Sequence, residues 1–167
     1  MPENEQVIVI SSLRHLDAMV AEHLFSWRWW LFPQNQENPA WPWGNMLQPP
    51  EFSPHPINSL LTVPCETAPV CQAWLEDKIK GSTLLPRHTT SAQIEPVIKN
   101  REEAGYFWEF YQESDALMRG AWTVRLLRLD SLGERQIAAS AHHADLAVAC
   151  SLTALASAGF QIRLNLD

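Results

Sequence analysis

Glycine is scarce in this chain, with only six in 167 residues. No glycine-rich loop that could cradle a phosphate is present, and neither is a Gly-x-Ser-x-Gly nucleophile turn or a His-Glu-x-x-His zinc motif. A catalytic site assembled from scattered residues would leave no such trace. The sequence therefore supports no enzymatic activity, and we expect no catalytic residue and no cofactor.

Cysteine is equally sparse, and its spacing argues against a metal site. The three cysteines, Cys65, Cys71 and Cys150, cannot all form disulfides with one another. Five residues separate the first two, whereas zinc ligand pairs are usually separated by two to four. The N-terminus has no pattern of a basic region, an apolar core and a cleavage site. We therefore expect no metal and a reducing compartment, the cytoplasm.

Positive charge is in deficit, which limits the partners. The formal net charge is -7, so the average surface repels a polyphosphate backbone. The longest uncharged apolar stretch, 146–162, is rich in alanine and is shorter than the roughly 20 strongly apolar residues of a membrane span. We expect no bulk nucleic acid and no membrane as partner, and a buried helix in this stretch.

What the chain does contain is enough apolar sequence to fold. Forty-six per cent of its residues are hydrophobic and 19% are charged, as in globular proteins. We expect one α+β domain over residues 1–167, in which 33–86 is a loop-rich insertion. Ten of the twelve prolines lie in that insertion. A short helix over 67–79 is its one predicted element.

The N-terminal part predicts a capped amphipathic helix. Ser11 and Ser12 can cap it, and its apolar residues recur at helical spacing through Leu13, Leu16, Val20, Leu24 and Trp27. Its second face carries Arg14, Asp17, Ala18, Ala21 and Glu22. Residues 7–10 form either a short strand or an extended lead into the helix.

The C-terminal half predicts an antiparallel sheet with helices laid against it. A helix begins near Glu95, with Pro96 in its first turn, and ends before Gly105. Aromatic residues 106–111 favour a strand, and 121–129 and 134–141 favour a hairpin around a turn at 130–133. A last helix over 144–158 and a short strand within 160–166 complete an α+β fold with a sheet of three or more strands.

Three segments resemble a known family. The segment Leu16-Asp17-Ala18-Met19-Val20-Ala21-Glu22-His23 with Trp27-Arg28-Trp29, the segment 97–110 and the alanine-rich segment 144–150 are similar to the phage ABA-sandwich family of small bacteriophage and prophage proteins. This resemblance implies a phage origin and an α-β-α sandwich. It implies no catalytic residues.

Two groups of residues could bind a ligand. His142 and His143 precede the last helix, whose N-terminus favours an anion, although polar residues there can also serve as simple caps. Five of the eight tryptophans lie between 27 and 43, where they could form a small core, a homo-oligomer contact or a platform for a nucleobase. The candidate ligand contacts are Trp41, Trp43, Arg87, His88, His142 and His143.

Two functions are compatible with these observations. The first is a non-enzymatic, phage-derived binding protein that sequesters a small anionic ligand, such as a nucleotide signal of host antiviral defence. The second is a phage accessory module that binds a host protein through its apolar surface. The expected partner is accordingly a nucleotide or a host protein, with a homo-oligomer also compatible with the tryptophan cluster.

Overall fold

The structure is a computed structural model, and it describes residues 7–32, 44–52, 63–64, 85–113 and 120–166. Its elements follow in chain order: β1 (Ile8–Ile10), α1 (Leu13–Phe25), β2 (Arg28–Phe32), β3 (Gly44–Gln48), β4 (Val63–Pro64), α2 (Glu95–Glu103), β5 (Phe107–Gln112), β6 (Trp122–Leu129), β7 (Arg135–His143), α3 (Leu146–Ser157) and β8 (Ile162–Leu164). The predicted α+β class, with helices packed on an antiparallel sheet, is confirmed.

Strands β5, β6 and β7 form the predicted antiparallel meander, with β6 in the centre. Phe110 lies opposite Val124, which lies opposite Ala141. The hairpin between β6 and β7 turns at Asp130, whose carboxylate accepts the backbone N–H groups of Leu132 and Glu134, each at 2.9 Å. These local bonds account for the turn at the predicted position.

Helix α3 covers one face of this sheet. Asp145 is its N-cap and accepts the N–H groups of Ala147 and Val148 at 2.8 and 3.1 Å, so the helix proper begins two residues after the predicted start. Small buried side chains such as Ala149 and Cys150 let it approach Val124 of β6. Burial raises the pKa of the Cys150 thiol to about 12, so this thiol is protonated at neutral pH and serves packing.

Helix α1 packs against α3 and is buried on more of its surface than predicted. Ser12 caps it by accepting the N–H of His15 at 3.1 Å, as expected. The interpretation of Asp17, Ala18 and Ala21 as part of a polar face was wrong, since all three are buried. Ala18 and Ala21 lie in a second cluster with Leu47 and Leu85, which covers the face that the apolar periodicity left open.

The two ends of the described chain meet in a parallel pair. Ile8 of β1 lies opposite Ile162 of β8, and Ile10 lies opposite Leu164. A strand was one of the two alternatives for residues 7–10, and a short strand was expected within 160–166, but the pairing joins segments that are far apart in sequence and could not be derived from local pattern. It closes the core beside α1, where Ile10 is fully buried.

The described part of the proline-rich insertion contains two short strands that were not predicted, β3 and β4. Strand β3 pairs with β2, and β4 pairs with the other edge of β2. The apolar pattern predicted an N-terminal helix that includes Trp27. The helix ends at Phe25 instead, and β2 begins at Arg28. The predicted helix over 67–79 lies outside the described residues.

Helix α2 agrees with its prediction, since it begins at Glu95 with Pro96 in its first turn. Its buried residue Val97 joins the core formed by α1 and α3. In the described part of the chain, no helix has the length and apolar character required to cross a membrane.

Candidate functional site

A cavity of about 580 Å³ lies where three separate segments of the chain meet. This volume is within the range of pockets that hold small organic ligands. Its wall is formed by Phe25, Trp27, Pro50, Pro86, His88, Ala92, Gln93, Glu95 and Pro96. The wall is therefore mainly apolar and aromatic, with a small number of polar groups.

The first side of the cavity is the end of α1. Ser26 adopts the left-handed conformation, with φ 59° and ψ 27°, which ends the helix and turns the chain. The N–H of Trp27 then donates to the carbonyl of Ala21 at 3.1 Å. This turn holds Phe25 and Trp27 beside each other at the wall.

The opposite side is the segment 85–90, which α1 holds through a buried ion pair. Arg14 donates to the carboxylate of Asp17 at 3.0 Å and to the carbonyl oxygen of Leu85 at 2.9 Å. The second oxygen of Asp17 accepts the N–H of Thr89 at 2.8 Å. Asp17 is only 1% exposed, so its charge is compensated by these contacts.

His88 is the most buried polar side chain of the wall, with 4% of its surface exposed. Its ring stacks on Phe25 with a centroid separation of 5.0 Å and an interplanar angle of 21°. Burial lowers the pKa of His88, and the bond between its Nδ1 and the carbonyl of Gln93, at 3.2 Å, opposes that shift. His88 is therefore neutral at neutral pH.

One arginine, Arg28, lies beside the cavity. Arg28 lines an adjoining depression of about 280 Å³ with Ser26, Pro49 and Pro50, and Pro50 belongs to both walls. Arg87 is exposed next to Pro86 and His88. In the described ranges, neither guanidinium has an ion-pair partner. The Arg28 cation is thus available to an anionic group at the rim.

One carboxylate of the cavity wall repels an anionic ligand. Glu95 is exposed and pairs with Lys99, with 2.8 Å between the carboxylate oxygen and Nζ. Exposed pairs of this kind are weak, but they partly neutralise the local negative charge. An anionic ligand is therefore expected to orient its charge toward Arg28.

The two histidines predicted to bind at the start of α3 are directed to different places. His142 lies on the sheet face opposite α3, where its Nδ1 is 2.7 Å from the hydroxyl of Thr123. The same hydroxyl is 2.7 Å from the carboxylate of Glu113. His143 accepts the N–H of Asp145 at 2.9 Å. The structure does not bring this pair together.

The predicted anion position at the N-terminus of α3 is also occupied. The carboxylate of Asp145 already accepts the N–H groups of Ala147 and Val148. An external anion would have to displace it against the repulsion of two like charges. The simple capping alternative describes this helix end better.

Of the six predicted contacts, His88 lies in the cavity wall, Arg87 is exposed between two wall residues in sequence without belonging to the wall, and Trp41 and Trp43 are outside the described residues. Sequence reasoning missed Phe25 as a site residue, and it assigned Trp27 to the apolar face of a helix. Trp27 belonged to the tryptophan cluster recognised in the sequence, so that cluster did carry a signal. No local pattern in the sequence indicated that Gln93 and Glu95 line the cavity.

The comparisons add no family to this description. Protein-family models, curated proteins and solved structures all give no match to the chain. The cavity is therefore the feature of the chain that indicates a function.

Proposed function

We propose that the chain is a non-enzymatic binding protein whose cavity holds the aromatic ring of a small anionic ligand of the nucleotide class. The observation that carries this proposal is the placement of Trp27, Phe25 and His88 around one cavity, with Arg28 in an adjoining depression. The resemblance to the phage family adds a biological role to this proposal: the chain would sequester a nucleotide signal that the host uses in its defence against phages.

The ring would be bound by aromatic and apolar contact. Stacking of a base on an aromatic side chain contributes about 1 to 3 kcal/mol. Trp27 supplies the largest such surface in the wall, and the prolines Pro50, Pro86 and Pro96 add rigid apolar contact. A rigid wall loses little conformational entropy on binding, which favours affinity.

The phosphate would be bound at the rim. Hydrogen bonds between guanidinium and phosphate contribute about 1.5 to 3 kcal/mol each. Arg28 and Arg87 can provide them, whereas the chain as a whole carries a charge of -7 and repels anions at long range. The local attraction between the phosphate and the arginines therefore has to exceed the repulsion by the net negative charge of the chain. Added salt should weaken both the attraction and the repulsion.

The experiment is calorimetric titration with a panel of mononucleotides and cyclic dinucleotides. We expect at least one member to bind, and Trp27→Ala to weaken it by roughly 5- to 150-fold. The matched control is Phe107→Ala, which removes an aromatic side chain that is 48% exposed outside the cavity. Recovery of the ligand unchanged after heat denaturation separates sequestration from catalysis.

The contribution of the arginines is measured separately. Arg28→Gln and Arg87→Gln should reduce the preference for a nucleotide over its nucleoside, while Arg128→Gln, an exposed arginine of β6, should not. If no member of the nucleotide panel binds, the proposed nucleotide-binding function is refuted.

A specific observation favours the alternative, a module that binds a host protein. The sheet face opposite α3 exposes Phe107 (48%), Tyr111 (45%) and Ile137 (58%). Exposed apolar patches of this kind often mark protein interfaces. If no nucleotide of the panel binds, affinity capture with the wild type and with the double variant Phe107→Glu/Ile137→Glu tests this second function. A protein that binds this sheet face should be captured by the wild type and lost with the variant.

A further inference from the structure

The hydrogen bond of His88 fixes which of its ring nitrogens carries the proton. Nδ1 lies 3.2 Å from the carbonyl oxygen of Gln93. A carbonyl oxygen has no proton, so Nδ1 must donate. A neutral imidazole carries one proton, and Nε2 is therefore an acceptor with its lone pair available.

This acceptor has no partner among the described residues. The interactions of His88 there are the Nδ1 bond, the stacking on Phe25 and a bond from the hydroxyl of Ser151 to its backbone carbonyl at 3.3 Å. None of them uses Nε2. Since the ring lines the cavity, a ligand that fills the cavity must satisfy this nitrogen or desolvate it without compensation.

The other polar side chains of the wall do not take over this role. The side-chain oxygen of Gln93 accepts the N–H of Arg87, which directs the Gln93 side chain to the turn of segment 85–90. Glu95 is engaged with Lys99 at the exposed rim. His88 Nε2 is not among the buried unpartnered atoms of the described residues, so this acceptor is open to solvent, and a hydrogen-bond donor on the ligand is its complement.

Resting on the proposed function, we infer that His88 is a specificity-determining residue, which selects ligands whose aromatic ring carries an amino or ring N–H donor over rings that lack one. A ligand ring with a lone pair in that position would place its own acceptor atom against the Nε2 acceptor of His88, with no proton between them. Mismatches of this kind reduce affinity by about 5- to 150-fold.

The charged groups around His88 are consistent with a neutral ring. Burial lowers its pKa, Asp17 of α1 opposes that shift and Arg14 of α1 adds to it. Glu95 is the charged residue of the cavity wall, and Arg87 is an exposed neighbour of His88 in sequence. At acidic pH the ring gains a proton on Nε2, which becomes a donor, and the ligand preference should disappear or invert.

The test compares two ligands that differ only in the donor, adenosine 5′-monophosphate and purine riboside 5′-monophosphate. At neutral pH we expect the amino compound to bind about 5- to 150-fold more tightly to the wild type. His88→Phe keeps an aromatic ring against Phe25 but lacks the acceptor, and should bind the two ligands within about twofold of each other. His142→Phe, an exposed histidine outside the cavity, is the matched control.

The outcomes separate this inference from the proposed function. Equal affinity of the two ligands for the wild type overturns the selection by His88, while nucleotide binding stands. Failure of both ligands and of the remaining panel overturns nucleotide binding and the selection with it. Nitrogen-15 spectra of the wild-type imidazole give a readout that needs no variant: a proton on Nδ1 supports the inference, and a proton on Nε2 alone overturns it.

Discussion

Substitution of Asp17 tests how the cavity is held together. Asp17 is 1% exposed, and its two carboxylate oxygens bind different partners, Arg14 at 3.0 Å and the N–H of Thr89 at 2.8 Å. In Asp17→Asn one oxygen can still accept the Thr89 N–H. The other position becomes an NH₂ group that faces the guanidinium, so two donors oppose each other.

The magnitude follows from these contacts. A hydrogen bond to a charged group contributes about 1.5 to 3 kcal/mol, and the side chain of Arg14 is only 18% exposed, so screening by solvent is limited. Arg14 keeps its bonds to the carbonyl oxygens of Leu85 and Pro86. We expect Asp17→Asn to lower the free energy of unfolding by about 2 to 3 kcal/mol. Asp17→Leu, which also leaves the Thr89 N–H without an acceptor, should cost about 3 to 5 kcal/mol.

Urea denaturation at equilibrium measures these values. The control is Glu102→Gln, which changes an exposed carboxylate of α2 and should stay within about 0.5 kcal/mol of the wild type. Ligand affinity should fall together with stability in Asp17→Asn, because the same carboxylate holds the segment that carries His88. A loss below about 0.5 kcal/mol would refute the reasoning that a buried ion pair fastens this segment to α1.

Three further predictions concern single residues. Ser26→Gly should raise the free energy of unfolding by about 0.5 to 1 kcal/mol in urea denaturation, since Ser26 has a φ of 59° that glycine adopts without strain, and no gain would contradict this. Thr123→Val removes the hydroxyl that lies 2.7 Å from Nδ1 of His142, so nitrogen-15 spectra should show the proton of His142 redistributed toward Nε2, and an unchanged tautomer would exclude that hydrogen bond. Burial lowers the pKa of both His23 and His88, so the unfolded chain binds protons more readily, and stability should decrease as the pH falls through about 6.5. Urea midpoints at about pH 7.5 and pH 5.5 check this, His88→Phe should show a smaller decrease, and constant stability would be the contrary result.

The elements that local pattern specifies were predicted well. Ser12 as the cap of α1, Pro96 in the first turn of α2 and the turn at Asp130 depend on contacts within a few residues, which the sequence displays directly. The buried character of α3 also followed from its uncharged composition. The pairing of β1 with β8 and the strands around the proline-rich insertion depend on distant segments, and no local pattern encodes them.

The site was predicted in part for the same reason. Periodicity placed Asp17 on a polar face because a carboxylate is usually exposed, whereas its burial depends on Arg14 and on a backbone N–H that lies 72 residues away in sequence. Arg87 and His88 were recognised as ligand-type residues. Their neighbours Phe25 and Trp27 were interpreted as core or left unassigned, since only the turn at Ser26 directs them to the cavity wall.

The measurement that tests the central claim most directly is a nucleotide titration followed in proton–nitrogen spectra of the wild type, with the indole of Trp27 and the ring of His88 assigned. We predict saturable shifts at Trp27, His88 and Gln93 with a single dissociation constant, and unchanged signals at His142. Saturable shifts confined to His142 and its neighbours, with Trp27 and His88 unmoved, would contradict the assignment of the cavity as the ligand site.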